Sequence, residues 1–195
     1  MIAKHELRRM LKDRRRQLTP QEQKQAEEAV YSQLTGFEPF NKAQTMMAYI
    51  ACRGELSLQT VIEHLLMEGK TLLLPRCDEP GVMTARRVRS MDELVPGAYG
   101  LLEPALDSEI MPPACIDLVL APGVAFDLDG GRLGQGGGYY DRFLERTQAL
   151  RVGVCHDFAL LDHVPQEAHD LLMDVILTPQ AMIACHAKTN DNRRA

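Results

Sequence analysis

The chain contains Arg132-Leu-Gly-Gln-Gly-Gly-Gly-Tyr-Tyr-Asp-Arg142, and four of the five residues from 134 to 138 are glycines. An apolar run, Ile116 to Ala121, precedes this stretch, and Tyr139 to Leu150 follows it with apolar residues at roughly helical spacing. Because glycine has no Cβ, backbone N–H groups of such a loop can point at one anion, and the next helix N-terminus adds a favourable dipole. The pattern predicts a strand, a phosphate-binding loop and a helix.

The two familiar nucleotide motifs do not fit this loop. A GxGxxG motif that starts at Gly134 needs a glycine where Tyr139 stands, and a Walker motif needs a lysine directly after Gly138. The alternative is a turn that only reverses the chain, but such a turn needs one or two glycines, and further glycines cost backbone entropy. Phosphate binding is therefore favoured, with the cation supplied from elsewhere in the chain.

Length and composition predict one soluble domain. The 195 residues are 45% apolar and 25% charged, which is ordinary for a globular protein and enough for one core. We expect a domain over residues 1–186 and a disordered polar tail over 187–195. No apolar run has the length of a membrane span, and Lys4 to Met10 is too polar for a signal peptide. The protein is expected to be cytoplasmic and, by default, monomeric.

The cysteines and histidines show no metal or disulfide pattern. Five widely spaced cysteines form no CxxC pair, so they are expected to be reduced and mostly buried. Cys155 neighbours His156, but adjacent residues of a strand point to opposite faces and do not make a nucleophile and base pair. The six histidines form no HExxH motif, and His163 and His169 are expected in surface loops.

Charge is divided unevenly along the chain. The net charge is −5, yet the first 16 residues carry +5. An apolar stripe of Leu7, Met10, Leu11 and Leu18 predicts a docked amphipathic helix rather than a free nucleic-acid-binding arm. Lys4 and Arg8 lie one turn apart and can clasp a polyphosphate. A solvated face is expected for most of the seven cations, which are Lys4, Arg8, Arg9, Lys12, Arg14, Arg15 and Arg16.

Residues that typically begin or end helices predict the elements that follow. Thr19-Pro-Gln-Glu22 is a capping box that opens a helix to about Leu34, so two helices, a helical hairpin, precede any strand. Gln44 to Cys52 is predicted as the first central strand, and Ser57 is predicted to cap a helix that ends at Gly69.

Strands and helices then alternate, which is typical of an α/β protein. The first strand, the helix after Ser57 and a second strand over Thr71–Pro75 form a βαβ unit, so the two strands should be parallel. Val82–Val88 is predicted as an antiparallel or edge strand, and a hairpin turn is expected at Leu128–Gly131. We predict a three-layer α/β/α fold with a mainly parallel sheet and ligands at the carboxyl ends of its strands. The later strands are expected at Ile116–Ala121, Arg151–His156 and Val175–Thr178.

Several motifs occur in an order that resembles the 5-formyltetrahydrofolate cyclo-ligase family, also called methenyltetrahydrofolate synthetase. The resemblance covers the chain up to about Pro179. The motifs are Lys4-x-x-Leu7-Arg8, Gly54-Glu55-Leu56, Leu74-Pro75-Arg76, Gly100-x-x-Glu103-Pro104, and Pro122-Gly-Val-Ala-Phe-Asp127 followed by Gly131–Arg142.

The resemblance implies an ATP- and Mg²⁺-dependent enzyme that cyclises 5-formyltetrahydrofolate to 5,10-methenyltetrahydrofolate, through a phosphorylated formyl intermediate and with release of ADP and phosphate. It implies no covalent protein nucleophile. The implied ATP-binding residues are Lys4, Arg8, Arg132, Leu133, Gly134, Gln135, Gly136, Gly137, Gly138, Tyr139 and Tyr140. The implied folate-binding residues are Ile50, Glu55, Gln135, Gly136, Gly137, Gly138 and Tyr139. The implied magnesium ligands are Asp141 and Asp170.

Each implied role has a plainer alternative. Glu55 could be a solvated loop acid, and Asp141 could be a stabilising acid at a helix N-terminus. Gln135 and Gly137 stand where family members often carry a basic residue, so the loop holds fewer cations here. Two other functions stay open: a non-catalytic nucleotide-binding protein, and a sugar-phosphate isomerase or coenzyme A transferase on a similar sheet. Nucleic-acid binding is disfavoured by the scarcity of aromatic residues.

Overall fold

The computed structural model describes residues 3–97, 101–167 and 170–185. The predicted tail over 187–195, Gly100 and His169 lie outside the described residues. The helices are α1 (Lys4–Arg16), α2 (Pro20–Thr35), α3 (Glu38–Lys42), α4 (Gln59–Met67) and α5 (Tyr139–Leu144). The strands are β1 (Thr45–Met47), β2 (Thr71–Glu79), β3 (Val82–Val88), β4 (Leu94–Pro96), β5 (Leu102–Pro104), β6 (Ile110–Met111), β7 (Leu118–Pro122), β8 (Ala125–Asp127), β9 (Arg132–Leu133), β10 (Leu150–Val154), β11 (Leu160–Leu161), β12 (Val175–Leu177) and β13 (Met182–Ala184).

An eight-stranded sheet forms the centre of the molecule, in the order β13-β12-β10-β7-β1-β2-β3-β6. The five strands from β12 to β2 are parallel, and β13, β3 and β6 add antiparallel edges. The predicted βαβ unit is confirmed, because β1 and β2 pair in parallel with α4 between them along the chain. β3 is antiparallel as predicted, but it is not an edge, since β6 pairs with its outer side.

Two apolar cores lie on opposite faces of this sheet. Neighbouring residues of a strand alternate between them: Met46 and Leu72 belong to one core, and Met47 and Leu73 to the other. Helices α2, α3 and α4 cover the first face, while α5 and the segment around Phe126 cover the second. The predicted three-layer α/β/α arrangement is confirmed.

The first helix, α1, docks on the hairpin of β8 and β9, which precedes the glycine loop (residues 134–138). Leu7 and Leu11 of α1 are buried in a small third cluster together with residues of β8 and β9. Met10 was predicted in the same apolar stripe, but it is 51% exposed, and Leu18 is only half-buried. The buried arc of α1 is thus narrower than the sequence predicted.

The second helix begins as its capping box predicts. The Thr19 hydroxyl accepts a hydrogen bond from the backbone N–H of Glu22 at 3.2 Å, and the Glu22 carboxylate accepts one from the backbone N–H of Thr19 at 2.8 Å. α3, which precedes β1, was not predicted. β1 is shorter than predicted, and α4 has Leu58 as its N-cap, although the Ser57 hydroxyl accepts a hydrogen bond from the N–H of Gln59.

The largest correction concerns the helix after the glycine loop. α5 ends at Leu144, whereas the spacing predicted a helix to Leu150. Leu150 instead begins β10, where it pairs with Leu118 and its N–H donates to the carbonyl of Asp117 at 2.9 Å. Both assignments place the apolar Leu150 side chain against a core, so spacing alone could not separate them. None of the helices in the described ranges is long and apolar enough to cross a membrane.

Candidate active site

A cavity of about 620 Å³ opens at the carboxyl ends of the parallel strands. Ile50 follows β1, Pro75 lies in β2, and Gly123 follows β7, and all three residues line the cavity. This is the predicted position for a ligand in a parallel α/β sheet. The cavity lies beside the glycine loop, because residues 134–138 form part of its wall.

Every site residue that the sequence indicated lines this one cavity. The set comes from α1, the loop after β1, the glycine loop, α5 and the segment before β12, which are far apart in sequence. It consists of Lys4, Arg8, Ile50, Glu55, Arg132, Leu133, Gly134, Gln135, Gly136, Gly137, Gly138, Tyr139, Tyr140, Asp141 and Asp170.

Two cations of α1 reach the cavity from one helix face. The Lys4 Nζ lies 2.9 Å from the carboxylate of Glu167 and 3.3 Å from that of Asp170, and Arg8 Nε donates to the Gly134 carbonyl at 2.8 Å. Burial acts to lower the pKa of Lys4, but the hydrogen bonds and negative charges of these two acids raise it above its usual value. The Lys4 ammonium group at the rim of the cavity therefore keeps its positive charge at neutral pH.

Glycine conformations shape the loop between β9 and α5. Gly136 has φ +104° and Gly138 has φ +64°, which side chains with a Cβ rarely adopt. Arg142 fixes the loop from behind: its guanidinium donates to the carbonyls of Gly137 at 2.7 Å and Gly81 at 2.9 Å. α5 is only six residues long, so the anion-binding capacity of this site depends mainly on the loop N–H groups and the nearby cations.

Arg132 and Asp141 form a tight pair at the base of the loop. The Asp141 carboxylate accepts from Arg132 Nη2 at 2.5 Å, and the guanidinium lies 5.5 Å from the ring centre of Tyr140. The Arg132 side chain is only 4% exposed. Asp141 is thus more than an acid at a helix N-terminus, because it neutralises a buried arginine inside the cavity wall.

Glu55 reaches the cavity from a sharp turn after β1. Arg53 (φ +49°) and Gly54 (φ +76°) both have positive φ, and the N–H of Glu55 donates to the Cys52 carbonyl at 2.9 Å. The Glu55 side chain is only 7% exposed, so the alternative of a solvated loop acid is wrong. Its carboxylate accepts from the Gln135 side-chain amide at 3.1 Å, which joins the turn to the glycine loop.

The two adjacent tyrosines present different surfaces. Tyr139 is half-buried, and the guanidinium of Arg142 lies 5.6 Å from the centre of its ring. The Tyr140 hydroxyl is buried and has no hydrogen-bond partner among the described residues. Burial, followed by the negative charge of Glu55, raises the pKa of Tyr140 far above its usual value, so its hydroxyl remains a donor.

The structure also places residues in the cavity wall to which the sequence assigned no role. Leu101, Leu102 and Glu103 line it, and they belong to the motif that begins at Gly100. Arg76 holds this segment, since its Nη1 donates to the Pro104 carbonyl at 2.6 Å and lies 3.6 Å from Glu103. The two sequence motifs that contain Arg76 and Glu103 could have indicated a role for this segment. Their spacing, however, did not show that the two side chains lie close together.

The cysteines are more accessible than the sequence predicted, because Cys155 is buried, Cys52, Cys77 and Cys185 are half-buried, and Cys115 is exposed. All five cysteines are free. Burial raises the pKa of Cys155 to about 12, so its thiol is not a nucleophile at neutral pH. His163 is exposed, as predicted. No group of three His, Cys, Asp or Glu side chains that could hold a metal ion occurs within the described part of the chain.

Comparisons with known proteins agree with the motifs. The model of the 5-formyltetrahydrofolate cyclo-ligase family matches residues 1–179. The 5-formyltetrahydrofolate cyclo-ligase of Escherichia coli K12 is 34% identical over 176 residues, covering 87% of this chain and 97% of the relative. That of Mycolicibacterium smegmatis is 33% identical over 187 residues, covering 91% and 94%.

Solved structures agree as well. The NMR structure of 5,10-methenyltetrahydrofolate synthetase from Aquifex aeolicus superimposes with a TM-score of 0.86 at 34% identity, covering 97% of this chain and 100% of the other. The Mycoplasma pneumoniae synthetase, at 21% identity and a TM-score of 0.75, covers 91% and 99% and shares the fold. The chain therefore belongs to the 5-formyltetrahydrofolate cyclo-ligase family of enzymes.

Proposed function

We propose that this chain converts 5-formyltetrahydrofolate and ATP to 5,10-methenyltetrahydrofolate, ADP and phosphate. The observation that carries the proposal is the convergence of all the implied ATP, folate and magnesium residues on one cavity. Its volume, about 620 Å³, is in the range of small-molecule sites in proteins. A monomeric state and a cytoplasmic location remain predictions.

The residue types fit the chemistry of the proposed reaction. The formyl group on N5 is an amide, and its oxygen is a poor leaving group. Attack of that oxygen on the γ-phosphorus of ATP forms a C–O–P linkage and releases ADP. The N10 lone pair then attacks the formyl carbon, the N10 proton passes to solvent, and the C–O bond breaks with departure of phosphate. Phosphoryl transfer depends mainly on positioning and charge stabilisation, so no protein nucleophile is needed.

The nucleotide end of the cavity is assigned to α1 and the glycine loop. Lys4 and Arg8 supply the cations that the loop lacks, and the N–H groups around Gly136 and Gly138 supply neutral donors. Arg8 is already held against Gly134 by its Nε, which leaves its other nitrogens for phosphate oxygens. Such a set stabilises negative charge on a transferring phosphoryl group.

The folate end is assigned to Glu55, Ile50 and Tyr139. The carboxylate of Glu55 is an acceptor for the amino-pyrimidine edge of the pterin, and the other two side chains offer apolar surface. Gln135 donates its amide to Glu55 in the free protein. We infer that the pterin displaces this amide when it binds.

Asp141 and Asp170 fit a magnesium site that is shared with the nucleotide. Both are carboxylates in the cavity wall, and Mg²⁺ usually takes one or two carboxylates together with phosphate oxygens and water. Each also lies beside a cation: Asp141 beside Arg132 and Asp170 beside Lys4. Bound Mg²⁺ would neutralise charge on the phosphate oxygens.

The test is to follow the absorbance of the methenyl product while the protein is mixed with 5-formyltetrahydrofolate, Mg²⁺ and ATP. We expect an increase that requires ATP and is lost in Lys4→Ala and Asp141→Asn, but not in the control Lys24→Ala, whose side chain is 77% exposed. Asparagine retains an oxygen acceptor for Arg132 while removing the charge. A folded protein that binds nucleotide without forming product would exclude the proposal and favour the other phosphate-binding functions.

A further inference from the structure

The buried face of α1 contains an arginine where the helix pattern calls for an apolar residue. Leu7, Leu11 and Arg15 follow each other at intervals of four residues, and all three are buried. Arg15 is only 2% exposed, so the expectation of a solvated basic face is wrong for this residue. Arginine is almost never fully buried unless it is paired.

Arg15 reaches from α1 to the floor beneath the cavity. Its Nη2 donates to the backbone carbonyls of Gly123 and Val124, and its Nη1 lies 3.9 Å from a carboxylate oxygen of Glu55. Among the described residues, the ion-pair partner of Arg15 is Glu55. Its Nε and Nη1 have no hydrogen-bond partner there.

The turn that carries Glu55 is built to lie directly against this arginine. A Cβ on Gly54 would lie 3.1 Å from the Cβ of Arg15, so only glycine allows the contact without displacement, and its φ of +76° also favours glycine. His156 Nε2 contacts the Gly54 carbonyl at 3.3 Å from the other side. The turn is therefore held between α1 and the segment that follows β10.

Stability alone does not account for a charged residue at position 15. A buried ion pair costs desolvation energy and is often no more stabilising than a well-packed apolar side chain. Buried donors without partners add to that cost. The preceding positions of the same stripe, Leu7 and Leu11, show that this face accepts leucine. Arg15 also donates to the carbonyls of Gly123 and Val124, which a neutral donor could serve, so Glu55 is the contact that favours a charged residue at this position.

We propose that Arg15 is a positioning residue for folate, whose buried guanidinium holds the Glu55 carboxylate in place to receive the pterin. This proposal rests on the proposed function, because it assigns Glu55 to the folate. From the opposite side, the Gln135 amide contacts the same carboxylate at 3.1 Å in the free protein. Helix α1 then serves both substrates, the nucleotide through Lys4 and Arg8 and the folate through Arg15.

The test separates positioning from a general loss of structure by measuring the affinities of both ligands. In Arg15→Met we expect a lower melting temperature, because Glu55 loses its ion-pair partner and two backbone carbonyls lose their donor. We also expect a roughly tenfold or larger increase in the Kd of 5-formyltetrahydrofolate and an unchanged Kd of ADP. The matched control is Arg16→Met, because the neighbouring Arg16 side chain is 76% exposed and should leave all three quantities unchanged.

Two further variants test the link to Glu55. Arg15→Lys retains a cation and should restore part of the folate affinity. A double-mutant cycle with Glu55→Gln should be strongly non-additive, because the second substitution removes the group that Arg15 holds. Additive effects would overturn the proposal, as would unchanged folate affinity in Arg15→Met or an equal loss of ADP affinity. Failure of the wild-type protein to bind or convert folate would instead refute the proposed function.

Discussion

His156 supports the turn that carries Glu55, although the sequence suggested only that it neighbours a cysteine. Its Nε2 lies 3.3 Å from the Gly54 carbonyl, and its ring stacks on Phe158 with ring centres 5.3 Å apart. Burial, followed by the positive charge of Arg15, lowers the pKa of His156, although the Gly54 carbonyl and Asp157 oppose the shift. The His156 ring therefore stays neutral to a lower pH in the folded protein than in the unfolded chain.

This lowered pKa makes stability depend on pH on the acid side. Above the unfolded pKa, near 6.5, both states are neutral and nothing is lost. As the pH falls below that value, the unfolded state takes up a proton before the folded state does, so the free energy of unfolding decreases. We expect His156→Gln to reduce this decrease between about pH 6.5 and 5, measured by urea unfolding. The exposed His5, changed to Gln, is the control, and an equal effect there would contradict the assignment.

Asp141 is predicted to stabilise the fold as well as to bind Mg²⁺. Asp141→Ala leaves the buried Arg132 without its carboxylate, and breaking a buried ion pair in this way costs roughly 3–5 kcal/mol. Asp141→Asn keeps an acceptor and should cost less. Urea unfolding of the two variants measures the difference in their free energies of unfolding. A loss of activity in a variant that stays stable can then be assigned to the missing carboxylate rather than to unfolding. Equal stability of Asp141→Ala and the wild type would show that the pair contributes nothing.

The sequence indicated residues that line the cavity, but not how each side chain is held there. The resemblance to the family implied fifteen site residues, and all of them line the cavity. Arg15 was grouped with cations of which most were expected to be solvated, and a solvated loop acid was the alternative for Glu55. Both side chains are buried instead, each beside a partner from a distant segment. A contact between two residues as far apart in sequence as Arg15 and Glu55 cannot be predicted from the residues that neighbour either of them.

At the scale of elements, Gly138 joins the glycine loop to α5. It is the N-cap of α5 with φ +64° and ψ +14°, a left-handed conformation that costs other residues about 1–2 kcal/mol. Gly138→Ala should destabilise the protein by about this amount and weaken nucleotide binding. Gly36→Ala is the control, because Gly36 ends α2 with φ −84° and a Cβ there would lie no closer than 3.6 Å to other atoms. Thermal unfolding and ADP titration of both variants are the measurements; similar effects would exclude a conformational role for Gly138.

Element prediction succeeded where a local signal was strong. The capping box at Thr19 and the alternation of strands with helices were sufficient for α2 and the parallel centre of the sheet. The prediction of elements failed where pairing with a distant strand decides whether a segment is helix or strand. Leu150 joins a strand because Leu118 is available beside it, and β13 exists because β12 offers an open edge.

At the scale of the whole molecule, the site combines a rigid part with a docked part. The strand ends belong to the sheet and its two cores, and Tyr139 and Tyr140, which follow the glycine loop, pack against the second core. α1 is attached instead through the small third cluster, in which Leu7 and Leu11 pack on β8 and β9. The cations at positions 4 and 8 are thus delivered by an element with few apolar contacts, which favours local opening of α1.

Leu11→Ala tests whether this docking controls nucleotide binding. Leu11 is 8% exposed, and its truncation should cost about 2–4 kcal/mol, most of it in the contacts that hold α1. We expect faster hydrogen exchange in residues 4–16 and weaker ADP binding under conditions in which the protein stays folded. Leu34→Ala in α2, a fully buried leucine of the first core, should destabilise the protein as much or more without either change. Because bound nucleotide contacts Lys4 and Arg8 in the proposed complex, ADP should in turn slow exchange in α1 of the wild type. Uniform slowing across α1, β7 and β10 would show instead that α1 opens only when the whole domain unfolds.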